Sequence, residues 1–415
     1  MAAIKPFKAL RPLENFANLV ASVPYDVVST EEAISLGEGN PLSFIHVTRS
    51  EIDLGKDIDP YSPLVYQKAK ENLHRLISQV PLFVDEKEHF YLYRLIMDGR
   101  AQVGIAALFS IDDYDNNIIL KHENTRKVKE DDRTNHIVTT GAQTGPVFLT
   151  YDPITAIDKI VKDTITNEKS IYDFTSNDGI RHTLWILPEG FNRMVVDGIA
   201  DVKKLYIADG HHRAASASRA KKIKQNSGGV ITGNEEYNYF LAVLFPADQL
   251  KILPYNRIVL DINKMTKKEF LKEISDKFSI EKSDSPQPSE RKNYGMYLDG
   301  QWYMLKARDS ILASSTLSRS AADNLDVSIL QDFLLNPVLG IEDPRTNKRI
   351  DFVGGIRGTK ELEKLVNSGK AAVAFSLYPV SVNDLMNISN EGETMPPKST
   401  WFEPKLRDGL LVHLI

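Results

Sequence analysis

Asp209-Gly210-His211-His212-Arg213 brings a carboxylate, a glycine, two imidazoles and a guanidinium together in consecutive positions. The run Lys203–Ala208 leads in as a strand, and the Ala- and Lys-rich stretch Ala214–Gln225 leads out as a helix. At such a helix start, free backbone N–H groups, the positive end of the helix dipole and a guanidinium converge on one point, which suits a phosphate. Gly210 permits close backbone approach, Arg213 can hold two phosphate oxygens, and His211 or His212 can donate a hydrogen bond or move a proton near neutral pH. Asp209 can serve as a base. The plainer alternative has Asp209 capping the helix and one histidine satisfied in the core.

Other candidates lie elsewhere in the chain. His122, Glu123, Arg126, Lys129, Asp131 and Arg133 form a charged run that could hold an anion and offer Glu123 as a base, although a solvated helix face has the same composition. His122-Glu123 opens like a zinc-protease helix, but Arg126 stands where the second histidine would be, so no metal ligands are assigned. Arg11, Tyr25 and Asp26 sit at the rigid turns Arg11-Pro12 and Pro24-Tyr25-Asp26 and are candidate substrate contacts. The tail Met395–Leu406 is stiff, aromatic and cationic, and Lys398 is expected near His211 or Arg213; the alternative is that Trp401 and Phe402 merely staple it down. Lys398-Ser399-Thr400 lacks the glycines of a phosphate-binding loop, and Gly354–Gly358 lacks dinucleotide spacing.

These groups need a scaffold, and 415 residues of which 42% are apolar can bury substantial cores in two or three domains. A net charge of -5 provides no basic field for nucleic acid, and the absence of cysteine excludes disulfides, thiolate nucleophiles and Cys-bound metals. No signal peptide or membrane span is read, so the cytoplasm is the expected location. Residues 62–79 place Leu64, Val65, Ala69, Leu73, Leu76 and Ile77 on one helical stripe. His89–Ile96 and Ala101–Ile111 flank a hairpin turn, His182–Leu187 and Tyr239–Phe245 read as strands, and Asn226–Tyr237 as a loop. Beyond Pro254, helical stripes at Val327–Leu339 and Leu362–Val366 and a strand at Ala371–Leu377 indicate a smaller α+β domain. The division is drawn as 1–255, the catalytic domain, and 256–415, whose tail returns to the site.

Arg11-Pro12, Pro24–Ser29, Lys121–Arg126, Asp209–Arg213 and Met395–Thr400 together resemble the bacterial domain-of-unknown-function family DUF1015, nearly end to end. The Asp-Gly-His-His-Arg turn also resembles that of the ParB/sulfiredoxin-like superfamily, whose members bind nucleotide phosphates there and include kinases of free serine. The resemblance implies an α+β fold with a ParB/sulfiredoxin-like mixed N-terminal domain. It further implies a phosphate donor at Gly210–Arg213, a small acceptor nearby and a carboxylate base. Sulfiredoxin chemistry needs a cysteine this chain lacks, and Asn256 stands where the pattern has a histidine before Arg257. The expected function is a small-molecule phosphotransferase, a kinase of free serine or a similar hydroxyl metabolite, using Mg²⁺ with a nucleotide or pyrophosphate. Glu123 or Asp209 takes the hydroxyl proton; Gly210, Arg213, Arg126, Lys398 and the histidines hold phosphate. A non-catalytic nucleotide-binding regulator and a His/Asp metal-dependent hydrolase are the alternatives.

Overall fold

The computed structural model describes residues 2–55, 57–79, 81–228, 232–316 (314–316 as backbone alone) and 320–415. It divides into two compact units, Met1–Leu250 with Pro404–Ile415, and Lys251–Glu403. The sequence reading drew the division at residue 255 and expected the tail of 256–415 to return to the site. The last segment, Pro404–Ile415, belongs to the first unit.

The first unit is built on a mixed nine-stranded sheet. Its order runs Ile119–Leu120, Leu205–Asp209, Val147–Tyr151, Tyr239–Pro246, Arg100–Ser110, Tyr91–Met97, Arg181–Ile186, Tyr172–Thr175, with Ile4–Lys5 also pairing on Arg100–Ser110. The pairs Leu205–Asp209 with Ile119–Leu120 and Tyr239–Pro246 with Val147–Tyr151 are parallel; the others are antiparallel. Central strands such as Val147–Tyr151 are buried at every position, which is why they read as continuous apolar runs rather than alternating ones. Leu149, Ile207, Ala242 and Leu244 anchor the main core.

The helix Pro63–Ser78 has Ser62 accepting from the Leu64 N–H and proline in its first turn, as a sound helix start requires. Val65, Ala69, Leu73 and Leu76 are buried, but Leu64 and Ile77 of the expected stripe are exposed. A short helix Ile111–Asp115 and the strand Ile119–Leu120 precede the charged run, whose second half forms a helix Lys127–Thr140 ended by left-handed Gly141. This last helix packs on His211–Asn226, tied by Arg219 to Asp131 (2.5 Å) and Glu130 (3.4 Å). In the tail, His413–Leu414 pairs with Ala142–Gln143, Val412 bridges to Leu10 and Asp408 to Ser22.

The second unit holds an antiparallel six-stranded sheet in the order Phe278–Lys282, Gln301–Ala307, Asn293–Leu298, Val373–Leu377, Tyr255–Val259, Ile350–Gly354. Helix Gly358–Asn367 covers it through Leu362 in a core with Ile258, Tyr297, Trp302 and Ala374. The stripe expected over Val327–Leu339 is instead an α-helix Asp326–Leu330 that widens into a π-helical turn, Gln331–Leu335. Among the described residues, no helix is long and apolar enough to cross a membrane.

Candidate functional site

The site starts from the strand Leu205–Asp209, which runs into the helix His211–Asn226 through Gly210 alone. Opposite Val147–Tyr151 the ladder slips between Ile207 and Asp209, a bulge that re-aims the Asp209 side chain at the strand's end. Gly210 has φ 92°, a left-handed conformation that suits glycine, and its Cα lies close beside the Val147 backbone. No side chain caps the helix. Asp209 is therefore not its cap, and the N–H groups of the first turn keep their partial positive charge.

The Asp209 carboxylate instead meets Lys405 Nζ at 3.3 Å and Arg213 Nη2 at 3.9 Å. Burial opposes its ionisation, but Lys405 and Arg213 outweigh that and hold it well below the usual carboxylate range. An acid so stabilised as its anion is a weak proton acceptor, so it makes a better charge partner than the base expected from sequence. Arg213 is buried, with Nη1 donating to the Pro146 carbonyl at 2.6 Å and Nη2 to Asp26 at 3.3 Å. Its guanidinium also lies 6.0 Å from the centre of the Tyr25 ring, which Arg133 covers at 4.1 Å. The structure thus gathers Asp26, Tyr25 and Arg213 from the sequence candidates.

One residue the sequence reading passed over completes this group. Asp408 lines a cavity of about 30 Å³ together with Tyr25, Arg133, Gly145 and Arg213, room for about two waters or one small polar group. The residue is 1% exposed, and desolvation pushes its carboxyl up to about 7; Asp26 adds to this, while Arg213, Arg133 and Arg407 pull the other way. A side chain at position 145 would run into this carboxylate, so glycine there is what admits it. Asp408 Oδ1 and Arg213 Nε are both buried without a hydrogen-bond partner among the described residues. Arg407-Asp408-Gly409, with Gly409 left-handed, carries only the signature of a turn.

The two histidines each accept a backbone hydrogen bond. His211 Nε2 accepts the His122 backbone N–H at 3.4 Å, and His212 Nε2 accepts that of Arg126 at 3.0 Å. Each thereby holds the segment His122–Arg126 against the turn with a nitrogen that must be unprotonated. Burial drives His211 down to about 3, with His212 and Lys121 adding to it against Asp209, and drives His122, beside His211, equally low. Glu123 is brought into reach of both rings, whereas Arg126 has an exposed side chain. Arg11 is engaged elsewhere, with Asp85 at 2.7 Å and Tyr172 at 3.1 Å. Lys398 belongs to the second unit, over the Tyr255 ring at 5.4 Å. The cation that the tail places at the turn is Lys405.

The first unit is thus a mixed α and β scaffold with a buried arginine–carboxylate site where a bulged strand meets an uncapped helix. The chain belongs to the DUF1015 family, described as a protein of unknown function, whose model matches residues 4–328. No curated protein matches the sequence. Among solved structures it is similar to a free serine kinase in complex with AMP, at 10% identity and a TM-score of 0.36, covering 74% of this chain and 91% of that one. SbnI with a C-terminal truncation, from Staphylococcus aureus, gives 10% and 0.38 over 74% and 87%. A conserved hypothetical protein from Pyrococcus furiosus gives 11% and 0.35 over 74% and 95%. At these TM-scores the superpositions are loose.

Proposed function

We propose that the protein is a small-molecule phosphotransferase with a ParB/sulfiredoxin-like catalytic unit, acting on the hydroxyl of serine or a similar metabolite. The observation that carries the reading is Asp408: a buried carboxyl poised at about 7 beside Arg213, in a cavity sized for one small polar group. A general base works best when its pKa lies near the working pH. The uncapped helix start, Arg213 and Lys405 supply positive charge for a donor such as ATP, ADP or pyrophosphate. His211 and His212 position the turn, and Arg126 and Glu123 lie along the segment they hold.

The acceptor hydroxyl would lie against Asp408, which takes its proton as the oxygen bonds to phosphorus and the bond to the donor's bridging oxygen breaks. Arg213 and Lys405 then neutralise charge on the transferring and leaving groups, so that positioning and electrostatics supply most of the rate. Mg²⁺ accompanying the donor would find hard oxygen ligands at Asp26 and Asp209, both within 4 Å of Arg213 Nη2. It would offset phosphate charge there.

The test has two parts. Thermal shift with ATP, ADP and pyrophosphate should reveal a stabilising donor for the wild type, and phosphate transfer to serine and related hydroxyl compounds should follow by phosphorus NMR. Asp408→Asn should retain donor binding and lose turnover by about 10²–10⁴-fold. Donor binding with full turnover in that variant removes Asp408 as the base. Binding without turnover in the wild type makes the protein a nucleotide-binding regulator instead.

A further inference from the structure

His122 and His211, 89 residues apart in sequence, meet in the first unit with their rings perpendicular and 4.3 Å between centroids. Glu123 adds a carboxylate, and one ligand atom from each of the three lies within 4.8 Å of the other two. We propose that His122, Glu123 and His211 bind a divalent first-row transition ion, such as Zn²⁺ or Co²⁺, beside the phosphate-handling turn. The inference does not rest on the phosphotransfer reading, because the ligands form a set whether or not a nucleotide binds.

The donor types argue for this class of ion. Two imidazole nitrogens and one carboxylate oxygen suit borderline cations, whereas Mg²⁺ and Ca²⁺ take oxygen ligands. Spacing agrees: ligands about 2.1 Å from a shared ion lie up to about 4.2 Å apart, so a 4.8 Å cluster closes by a small side-chain adjustment. Orientation agrees as well. The His122 ring is buried and packed edge-on against the His211 ring, so packing fixes its aim. His211 is fixed at the first position of its helix. The His122 N–H contact to His211 Nε2, at 3.4 Å, is at the long end of the hydrogen-bond range and opposes coordination through that nitrogen only weakly.

Both histidines are buried and Glu123 is half-buried, so the cluster opens toward solvent on the carboxylate side. Three protein ligands leave a coordination position free, as in metal sites that bind water or a substrate oxygen. The helix that a zinc protease uses to supply both histidines is absent, since Arg126 occupies the second position. Here the second histidine comes from the turn itself. Glu123 accordingly becomes a ligand rather than the proton acceptor, a division of labour consistent with Asp408 as the base.

The experiment uses tag-free full-length protein, stripped with a chelator and titrated with Zn²⁺, Co²⁺ and Mg²⁺ without any nucleotide, by calorimetry and by the visible spectrum of Co²⁺. One equivalent of Zn²⁺ or Co²⁺ per chain should bind, with a perturbed Co²⁺ spectrum and no saturable Mg²⁺ binding. Glu123→Ala and His211→Gln should each weaken binding by at least the roughly 10–100-fold that loss of a supporting hydrogen bond costs a metal site. Should His211→Gln fail to fold, the half-buried Glu123→Ala decides alone. Binding below one equivalent, affinity unchanged in Glu123→Ala, or Mg²⁺ bound as tightly as Zn²⁺ overturns the proposal. Because no phosphate compound is present, none of these results depends on whether phosphotransfer is correct.

Discussion

Replacing Asp408 by asparagine should change how the stability of the first unit depends on pH, and the sign follows from the burial of that carboxyl. Its pKa is pushed from an ordinary 3.8 up to about 7 in the folded chain. Between those values the folded protein holds a proton that the unfolded chain has released. By linkage, this contribution is complete below about pH 4 and is lost as pH rises through 7. About three pH units at 1.36 kcal/mol each give a ceiling of about 4 kcal/mol. The groups that set the value, Arg213, Asp26, Arg133 and Arg407, remain in the variant. Asparagine has no proton to lose. Melting curves from pH 4 to pH 8 should therefore show the wild type losing up to roughly 10 °C relative to Asp408→Asn, at a few degrees per kcal/mol. Parallel profiles would falsify the placement of a protonated carboxyl in this cavity and, with it, the choice of base.

Arg213→Lys keeps the charge but loses the planar fork, and donor binding measured by calorimetry should weaken at least about tenfold; equal affinity would remove Arg213 from the phosphate site. Lys405→Met leaves Asp209 without its 3.3 Å partner and should cost about 3 kcal/mol in denaturant unfolding, an effect that a free surface lysine would not produce. Gly210→Ala imposes a Cβ at φ 92° and should cost about 1–2 kcal/mol; a neutral result would mean that the turn relaxes to another conformation.

Much of the candidate site is local and was legible for that reason. A strand, one glycine and a helix start are specified by near neighbours, and Leu205–Asp209, Gly210 and His211–Asn226 follow the pattern of the sequence closely. Boundaries moved by one to three residues, because hydrogen-bond closure sets them rather than side-chain type. Less legible was the role of each polar group. Histidines beside a glycine turn read as hydrogen-bond donors to a phosphate or, alternatively, as core residues, and only the positions of the His122 and Arg126 backbone N–H groups make them acceptors. Arg11 reads as a free cation until Asp85 and Tyr172 are seen against it.

By itself the sequence determined the composition class, the absence of thiol chemistry, several of the strands and helices, and the strand–glycine–helix turn at Asp209–Arg213. Each of these depends on residue type or on contacts a few positions apart. Tertiary structure alone decided that Lys405 and Asp408 stand at that turn, since Lys405 reaches Asp209 across 196 residues. It also decided that Asp408 titrates near neutrality, because a carboxyl's pKa reports the water and charge around it. No property of Arg407-Asp408-Gly409 as a string encodes the burial supplied by Tyr25, Gly145 and Arg213, segments that meet only when the sheet has formed and the tail has closed over it.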